Sequence, residues 1–311
     1  MEPMSRKRPD QPSSILGTGA VLVIAFIVLI ALFFAFNALT PSIMGKCVAV
    51  VNLDGPIVAD GTPPSLIDSG TPGSDEIAST IESISQRDDV GSVLLVVNSP
   101  GGSVVGTREI YNSLKDLDKP KVAYFREVAA SGAYYISSGT DYIVSDPDTL
   151  TGSIGVVTTV TDLSGIMNTL GVNITEVKSG PYKDIGSPYR NMTPEETAIM
   201  QGIVNEIYGE FKNVVIENRG KRLNMEEFDN TTDGRILTGT QALKAGLVDQ
   251  VGTENDAILK AAELGNMTAS SASEVRLCPI DIGSNGGGLF SMDAIIRYLT
   301  AKSSTPSLDF K

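Results

Sequence analysis

An α/β domain with a largely parallel sheet, preceded by one N-terminal transmembrane helix, is the architecture the sequence predicts, and three observations predict it. Continuous apolar runs at residues 48–53, 92–97, 122–125 and 142–144 alternate with helix-patterned stretches at 75–85 and 107–117. Parallel strands covered on both faces read as such unbroken runs, and alternation with helices points to βα repeats. Residues 20–36 are an unbroken apolar run of 17. The 311 residues are 41% hydrophobic and only 20% charged, which fits a globular domain joined to a greasier segment.

The greasy segment comes first. No charge occurs between Asp10 and Lys46. Extended to residues 15–39, a helix of 1.5 Å rise spans roughly 37 Å, against a hydrocarbon core of about 30 Å. Arg6, Lys7 and Arg8 precede it, so the positive-inside rule leaves residues 1–14 in the cytoplasm and everything after Lys46 outside. A cleaved signal peptide has a shorter apolar region ending in an A-x-A-like site. This run is longer, Asn37 is a poor cleavage residue, and Lys46 before Cys47 breaks a lipobox. An uncleaved single-pass anchor over residues 15–40 in the cell membrane is the expectation.

The outside domain opens with a strand at 48–53 and a Pro/Gly/Ser/Asp-rich loop at 56–74. After the alternating elements named above, residues 154–160 and 174–177 read as further strands flanking a short helix at 163–170. Thr193-Pro194-Glu195-Glu196 combines an N-cap, a proline at N1 and a capping-box glutamate at N3. Ile199, Ile203, Ile207, Phe211 and Val215 then recur every four residues in a helix reaching about Asn218, a stripe suited to core or subunit contact. Residues 234–252 read as strand, turn and helix. Residues 269–273 and 283–288 are low-complexity linkers around a strand at 274–280, and 289–301 is helix-like. The domain boundaries are therefore 46–268, with a linker and strand/helix extension at 269–311.

Composition excludes several chemistries. With no histidine, neither Ser-His-Asp nor Cys-His machinery can operate, and two cysteines cannot make a Cys₄ zinc site. No metal or cofactor site is expected. Net charge is −13, and the first ten residues are net positive, so the outside domain is strongly acidic and unsuited to nucleic acid. Cys47 and Cys278 could pair in an oxidising compartment. N-x-Ser/Thr sequons at Asn173, Asn191, Asn230 and Asn266 are compatible with outside exposure.

Two turns could carry chemistry. Asn98-Ser99-Pro100-Gly101-Gly102-Ser103 joins a buried strand to a helix; it serves as a plain tight turn, or its backbone amides stabilise an oxyanion. Ala129-Ala130-Ser131-Gly132-Ala133 places one serine among small residues at a helix start, as a simple N-cap or as a nucleophile. Without histidine, a serine nucleophile needs another base, and lysine has precedent. An ordinary lysine is only about one part in 2,500 neutral at pH 7, and bringing its pKa close to neutrality costs about 4 kcal/mol. Lys178 and Lys183 lie in Lys178-Ser179-Gly180-Pro181-Tyr182-Lys183-Asp184, and either reads equally as a solvated surface charge.

Taken together these blocks resemble the signal peptide peptidase A (protease IV) family, membrane-anchored Ser–Lys peptidases of the Clp-protease/crotonase superfamily. The resemblance covers roughly residues 48–264. It rests on Asn98-Ser99-Pro100-Gly101-Gly102, Ala130-Ser131-Gly132-Ala133-Tyr134-Tyr135, Thr151-Gly152-Ser153-Ile154-Gly155, Lys178-Ser179-Gly180-x-x-Lys183-Asp184 and Gly234-Arg235 followed by Gly239-x-x-Ala242-x-x-x-Gly246-Leu247-Val248-Asp249. It implies a Clp-protease/crotonase-like fold of repeated ββα units, with Ser131 as nucleophile and Lys183 as general base. Ser153 would orient the lysine amine, Gly101 and Gly132 would supply oxyanion donors, and Lys178 would be structural or surface. The short, single-domain form implies homo-oligomeric rings whose serine and lysine come from neighbouring subunits. The implied activity is degradation of signal-peptide remnants and other peptides on the outer side of the membrane.

Three alternatives remain at this stage. A stomatin-associated Ser–Lys membrane protease shares the Pro-Gly-Gly turn, but the blocks at 151–155 and 234–249 argue against it. A crotonase-like acyl-CoA enzyme would use the same oxyanion hole on a thioester. A catalytically inactive membrane scaffold would leave Ser131 unreactive.

Overall fold

A computed structural model describes residues 23–34, 45–62 and 70–282. Residues 23–34 form an exposed helix, α1. Among the described residues no helix is long and apolar enough to cross a membrane. The rest of the span predicted at 15–40 lies outside the described residues, as do the linker at 283–288 and the helix at 289–301.

The unit from Cys47 onward is an α/β fold around one mostly parallel sheet. Its strands are β1 (Cys47–Asp54), β2 (Val90–Ser99), β3 (Lys121–Ala130), β4 (Tyr142–Ser145), β5 (Leu150–Gly152), β6 (Ile236–Thr238), β7 (Gln250–Val251) and β8 (Leu277–Ile280). The main path runs β6-β5-β3-β2-β1-β8, with β4 also pairing β3 and β7 pairing β4. Among the described strand pairs, β5–β6 alone is antiparallel. The helices are α2 (Ser74–Ser85), α3 (Val104–Asp116), α4 (Gly132–Ser138), α5 (Ser164–Thr169), α6 (Pro194–Arg219), α7 (Met225–Thr231), α8 (Gly239–Ala245) and α9 (Glu254–Leu264).

The unbroken apolar reading of β2 has a direct cause. Val93, Leu95 and Val97 point into a core shared with Ile77 and Ile81 of α2 and with Ile110 and Leu114 of α3. Leu94 and Val96 point the other way, onto Ala257, Ile258 and Ala261 of α9. A strand covered on both faces has no polar face to show, and each side chain withdrawn from water contributes about 1.5–3 kcal/mol. At the sheet edge, parallel β8 pairs with β1, and a disulfide joins Cys47 to Cys278 across 231 residues of sequence.

The capping box that opens α6 is present: Thr193 Oγ1 accepts from the Glu196 amide, and the Glu196 carboxylate accepts from the Thr193 amide. The stripe along α6 divides. Phe211 and Val215 are buried, whereas Ile199 and Ile203 are exposed.

The strands expected at 154–160 and 174–177 do not form. Val157 is 87% and Val177 97% exposed. Their β-branched composition gave a strand signal, but no neighbouring strand among the described residues takes up their backbone groups. The segment from 155 to 195 contains no buried residue at all. The sequence reading also passed over β5 and β7, which at three and two residues are too short to show a period.

Candidate active site

β3 delivers Ser131 into a cleft. Ala129 and Ala130 at its end are buried between β2 and β5, in register with Ser99, Thr151 and Gly152. The chain then turns sharply, and Ser131 adopts φ 55°, ψ −123° as the residue preceding α4. A positive φ is unfavourable for a residue with a Cβ, costing on the order of 1–3 kcal/mol, and such strain concentrates at functional sites. The Ser131 amide donates to the Gly152 carbonyl at 2.9 Å, which holds the turn in place.

Two tyrosines of the same block fix α4 behind the serine. Tyr134 is fully buried and its hydroxyl donates to the Leu247 carbonyl at 2.9 Å. Burial pushes its phenol well above the usual range, so it remains a neutral donor. Tyr135 packs against the rings of Tyr111 and Phe211, each at 5.1 Å between centroids. Tyr134 thus supports α4 from the core, whereas Tyr135 also reaches the cleft wall.

The glycine turn before α3 lies directly against this serine. Ile57 bridges to it: its amide donates to Gly101 O at 2.9 Å, and Ser103 N donates back to Ile57 O at 2.8 Å. Gly101 has φ 89°, and a Cβ there would lie 2.5 Å from Gly132 N. A Cβ on Gly132 would lie 2.3 Å from Thr107 Oγ1 and 3.4 Å from Gly102 N. The two turns therefore interlock backbone to backbone, which side chains on either glycine would prevent.

This packing distinguishes the amides. Gly101 N–H is already engaged, donating to Ser99 Oγ at 3.2 Å in a buried contact. Gly102 N–H and Gly132 N–H have no acceptor among the described residues, and both glycines line the cleft beside Ser131. The sequence pointed to Gly101 with Gly132; the geometry offers Gly102 with Gly132 as the open donors. Two adjacent glycines look alike in sequence, and only the Ser99 contact separates them. Thr107 was also missed. Its buried hydroxyl has no hydrogen-bond partner among the described residues, and nothing in a helical pattern marks it.

Ser153 lines the same cleft as Ser131. It too has a positive φ, 49°, and its amide donates to Arg235 O at 2.9 Å. The Gly234-Arg235 block thus holds the Ser153 turn through the β5–β6 pair, and Gly234 itself lines the cleft. The cleft encloses about 430 Å³. Val104, Tyr135, Val156, Ile207 and Phe211 supply its apolar wall, and an Arg108–Glu210 ion pair of 2.7 Å spans α3 and α6 at its rim.

No lysine is among the residues that line this cleft. Lys183 sits on an exposed turn, its amide donating to Gly180 O at 3.3 Å. One chain therefore brings together Ser131, Ser153, Gly102 and Gly132, and leaves Lys183 apart from them. Among the described residues, the one cluster of metal-ligating types is Cys47, Asp89 and Cys278, whose two sulfurs are bonded to each other.

Comparison with known proteins gives the family. The sequence model of peptidase family S49 matches residues 113–268, which contain Ser131, Ser153 and Lys183. The chain is 40% identical over 220 residues to a "putative protease" of Methanocaldococcus jannaschii, covering 70% of this chain and 68% of that one. It is 44% identical over 178 residues to a "putative protease" of Synechocystis, covering 57% and 64%. It is 40% identical over 181 residues to a "putative signal peptide peptidase SppA" of Enterococcus faecium, covering 57% and 52%. The match thus spans between half and about two thirds of these relatives' own lengths.

Proposed function

The chain belongs to peptidase family S49, and on that premise we propose that it is a serine endopeptidase with Ser131 as nucleophile and Lys183 as general base. The observation that carries the reading is the strained Ser131 turn, set beside two backbone amides with no acceptor among the described residues. Such donors gain most where charge develops on a carbonyl oxygen.

In the first step the neutral Lys183 amine takes the Ser131 hydroxyl proton as Oγ attacks the peptide carbonyl. Gly102 and Gly132 hold the oxyanion. The Lys183 ammonium then protonates the leaving amine, and an ester to Ser131 remains. Lys183 next accepts a proton from water, which attacks the ester and releases the acid, while Ser131 Oγ takes back the proton. Ser153, on the same cleft, would accept or donate to the amine and orient it.

A lysine-free cleft and an exposed Lys183 favour assembly into a homo-oligomeric ring, with the base supplied by a neighbouring copy. The exposed Val157, Val177, Ile199 and Ile203 would then be covered by that copy. We read the fold as the Clp-protease/crotonase type, and residues 15–40 as a membrane anchor with the N-terminus in the cytoplasm. The Cys47–Cys278 disulfide supports an oxidising, extracytoplasmic compartment for the catalytic domain. Substrates would be signal-peptide remnants and other apolar peptides, matched to the apolar wall of the cleft.

The test uses Ser131→Ala and Lys183→Ala chains with a signal-peptide fragment. Each alone should be inactive, and mixing the two during assembly should restore part of the activity. Retained cleavage in either single variant excludes the dyad.

A further inference from the structure

Lys183 stands on a segment with no apolar core, so something else must determine where its amine points. Between residues 155 and 195 no residue is buried, and the turn from Gly180 to Ser187 is a series of local backbone hydrogen bonds, each spanning three residues. A backbone hydrogen bond of 2.7 Å from Leu163 to Pro188 joins the end of that turn to α5, but what ties it to α6 is ionic. Arg190 Nε donates to Asp184 Oδ2 at 2.9 Å and Nη2 to Asp184 Oδ1 at 2.8 Å. The other side of the same guanidinium donates through Nη1 to Glu196 Oε2 at 2.8 Å, and through Nη2 to Glu196 Oε1. Glu196 is itself immobilised as the capping-box residue of α6, only 2% exposed. Lys178 Nζ closes the arrangement on Asp184 Oδ1 at 2.6 Å.

We propose that Arg190 is the positioning residue for the Lys183 amine: by clamping Asp184, the next residue in the chain, to the first turn of α6, it fixes where Lys183 can reach. This rests on the reading of Lys183 as general base. A planar fork gripping two carboxylates at once has a defined direction, which a lysine at 190 could not reproduce. The clamp also occupies the carboxylate of Asp184 with Arg190 and Lys178, so that it does not pair with the adjacent lysine. Lys178 is therefore part of the arrangement, the structural one of the two roles, structural or surface, that the resemblance implied for it.

The experiment measures kcat and KM on an apolar fluorogenic peptide, together with native mass, for Arg190→Gln, Asp184→Asn and Lys183→Ala. A base displaced by about an ångström loses on the order of 100-fold in rate. Arg190→Gln should therefore lower kcat 10- to 100-fold, with KM within twofold and native mass unchanged. Adding it to Lys183→Ala should cost nothing further. Asp184→Asn, which leaves the Arg190–Glu196 contact intact, should lower kcat in the same way and decides the matter if Arg190→Gln fails to assemble. An unchanged kcat in assembled Arg190→Gln or in Asp184→Asn, with Lys183→Ala inactive, overturns the clamp alone. Activity retained by Lys183→Ala overturns the dyad and the clamp with it.

Discussion

Ser131 and Gly152 are joined by a 2.9 Å backbone hydrogen bond that links the candidate nucleophile's turn to the strand preceding Ser153. The serine and its candidate orienting hydroxyl are thereby built on neighbouring strands of one rigid sheet, each at a positive φ. A site assembled from strand ends in this way suits the proposed nucleophile, whose proposed base stands on a separate segment.

Gly101→Ala should disable the site without unfolding the protein. The new Cβ would fall 2.5 Å from Gly132 N and 2.9 Å from Ser131 Cβ, at a φ of 89° that disfavours any side chain. A loss of about 100-fold or more in kcat is expected, with far-UV circular dichroism unchanged. Normal turnover would show that the two turns need not interlock.

Much of this was legible in advance. The two-sided burial of β2 gave the α/β alternation directly, and Thr193 with Glu196 marked the start of α6. The blocks around Ser131, Ser153 and Gly234 do meet at one cleft. What stayed hidden was whatever depends on a partner. Val157 and Val177 have strand composition but no strand beside them, and Gly101 differs from Gly102 only through the Ser99 hydroxyl. Short β5 and β7 exist because longer neighbours offer them an edge.

The Gly246-Leu247-Val248-Asp249 block has a structural reason. Arg219, 1% exposed, donates to both Asp249 oxygens at 2.9 Å and to the Gly246 carbonyl. Asp249→Ala strands the buried Arg219 charge and should destabilise by about 3–5 kcal/mol, whereas Arg219→Ala should cost less, because Asp249 keeps Arg222 at 3.3 Å and the Ile143 amide at 2.8 Å. Urea denaturation monitored by circular dichroism measures it; a change below about 1 kcal/mol in Asp249→Ala would mean that water reaches the pair.

Acid should loosen the Lys183 segment before the core. Hydrogen bonds from Arg190 and then from the Thr193 amide hold Glu196 down at about 2, and Arg190 and Lys178 hold Asp184 well below the usual carboxylate range. Both pKa values are depressed, so this contribution is complete above about pH 4.5 and is lost as pH falls towards 2. Protection factors of amides 180–190, taken against the intrinsic exchange rate at each pH, should fall over that range in the wild type. Arg190→Gln should already exchange fast at pH 6; equal protection at both pH values in the wild type contradicts the ionic origin.

The Cys47–Cys278 disulfide secures the edge strand β8 to β1. Cys278→Ser with Cys47→Ser should lower stability by about 2–5 kcal/mol in chemical denaturation under oxidising conditions. Because the bond is remote from Ser131 in the sheet order, activity at low temperature should be retained.

The central claim is that Lys183 activates Ser131, and intact-mass labelling with a fluorophosphonate tests it most directly. In the native-mass assembly the account predicts one adduct per chain, located at Ser131, none in Ser131→Ala, and labelling slowed at least 100-fold in Lys183→Ala. An adduct on another residue, or equal labelling rates with and without the Lys183 amine, would contradict it.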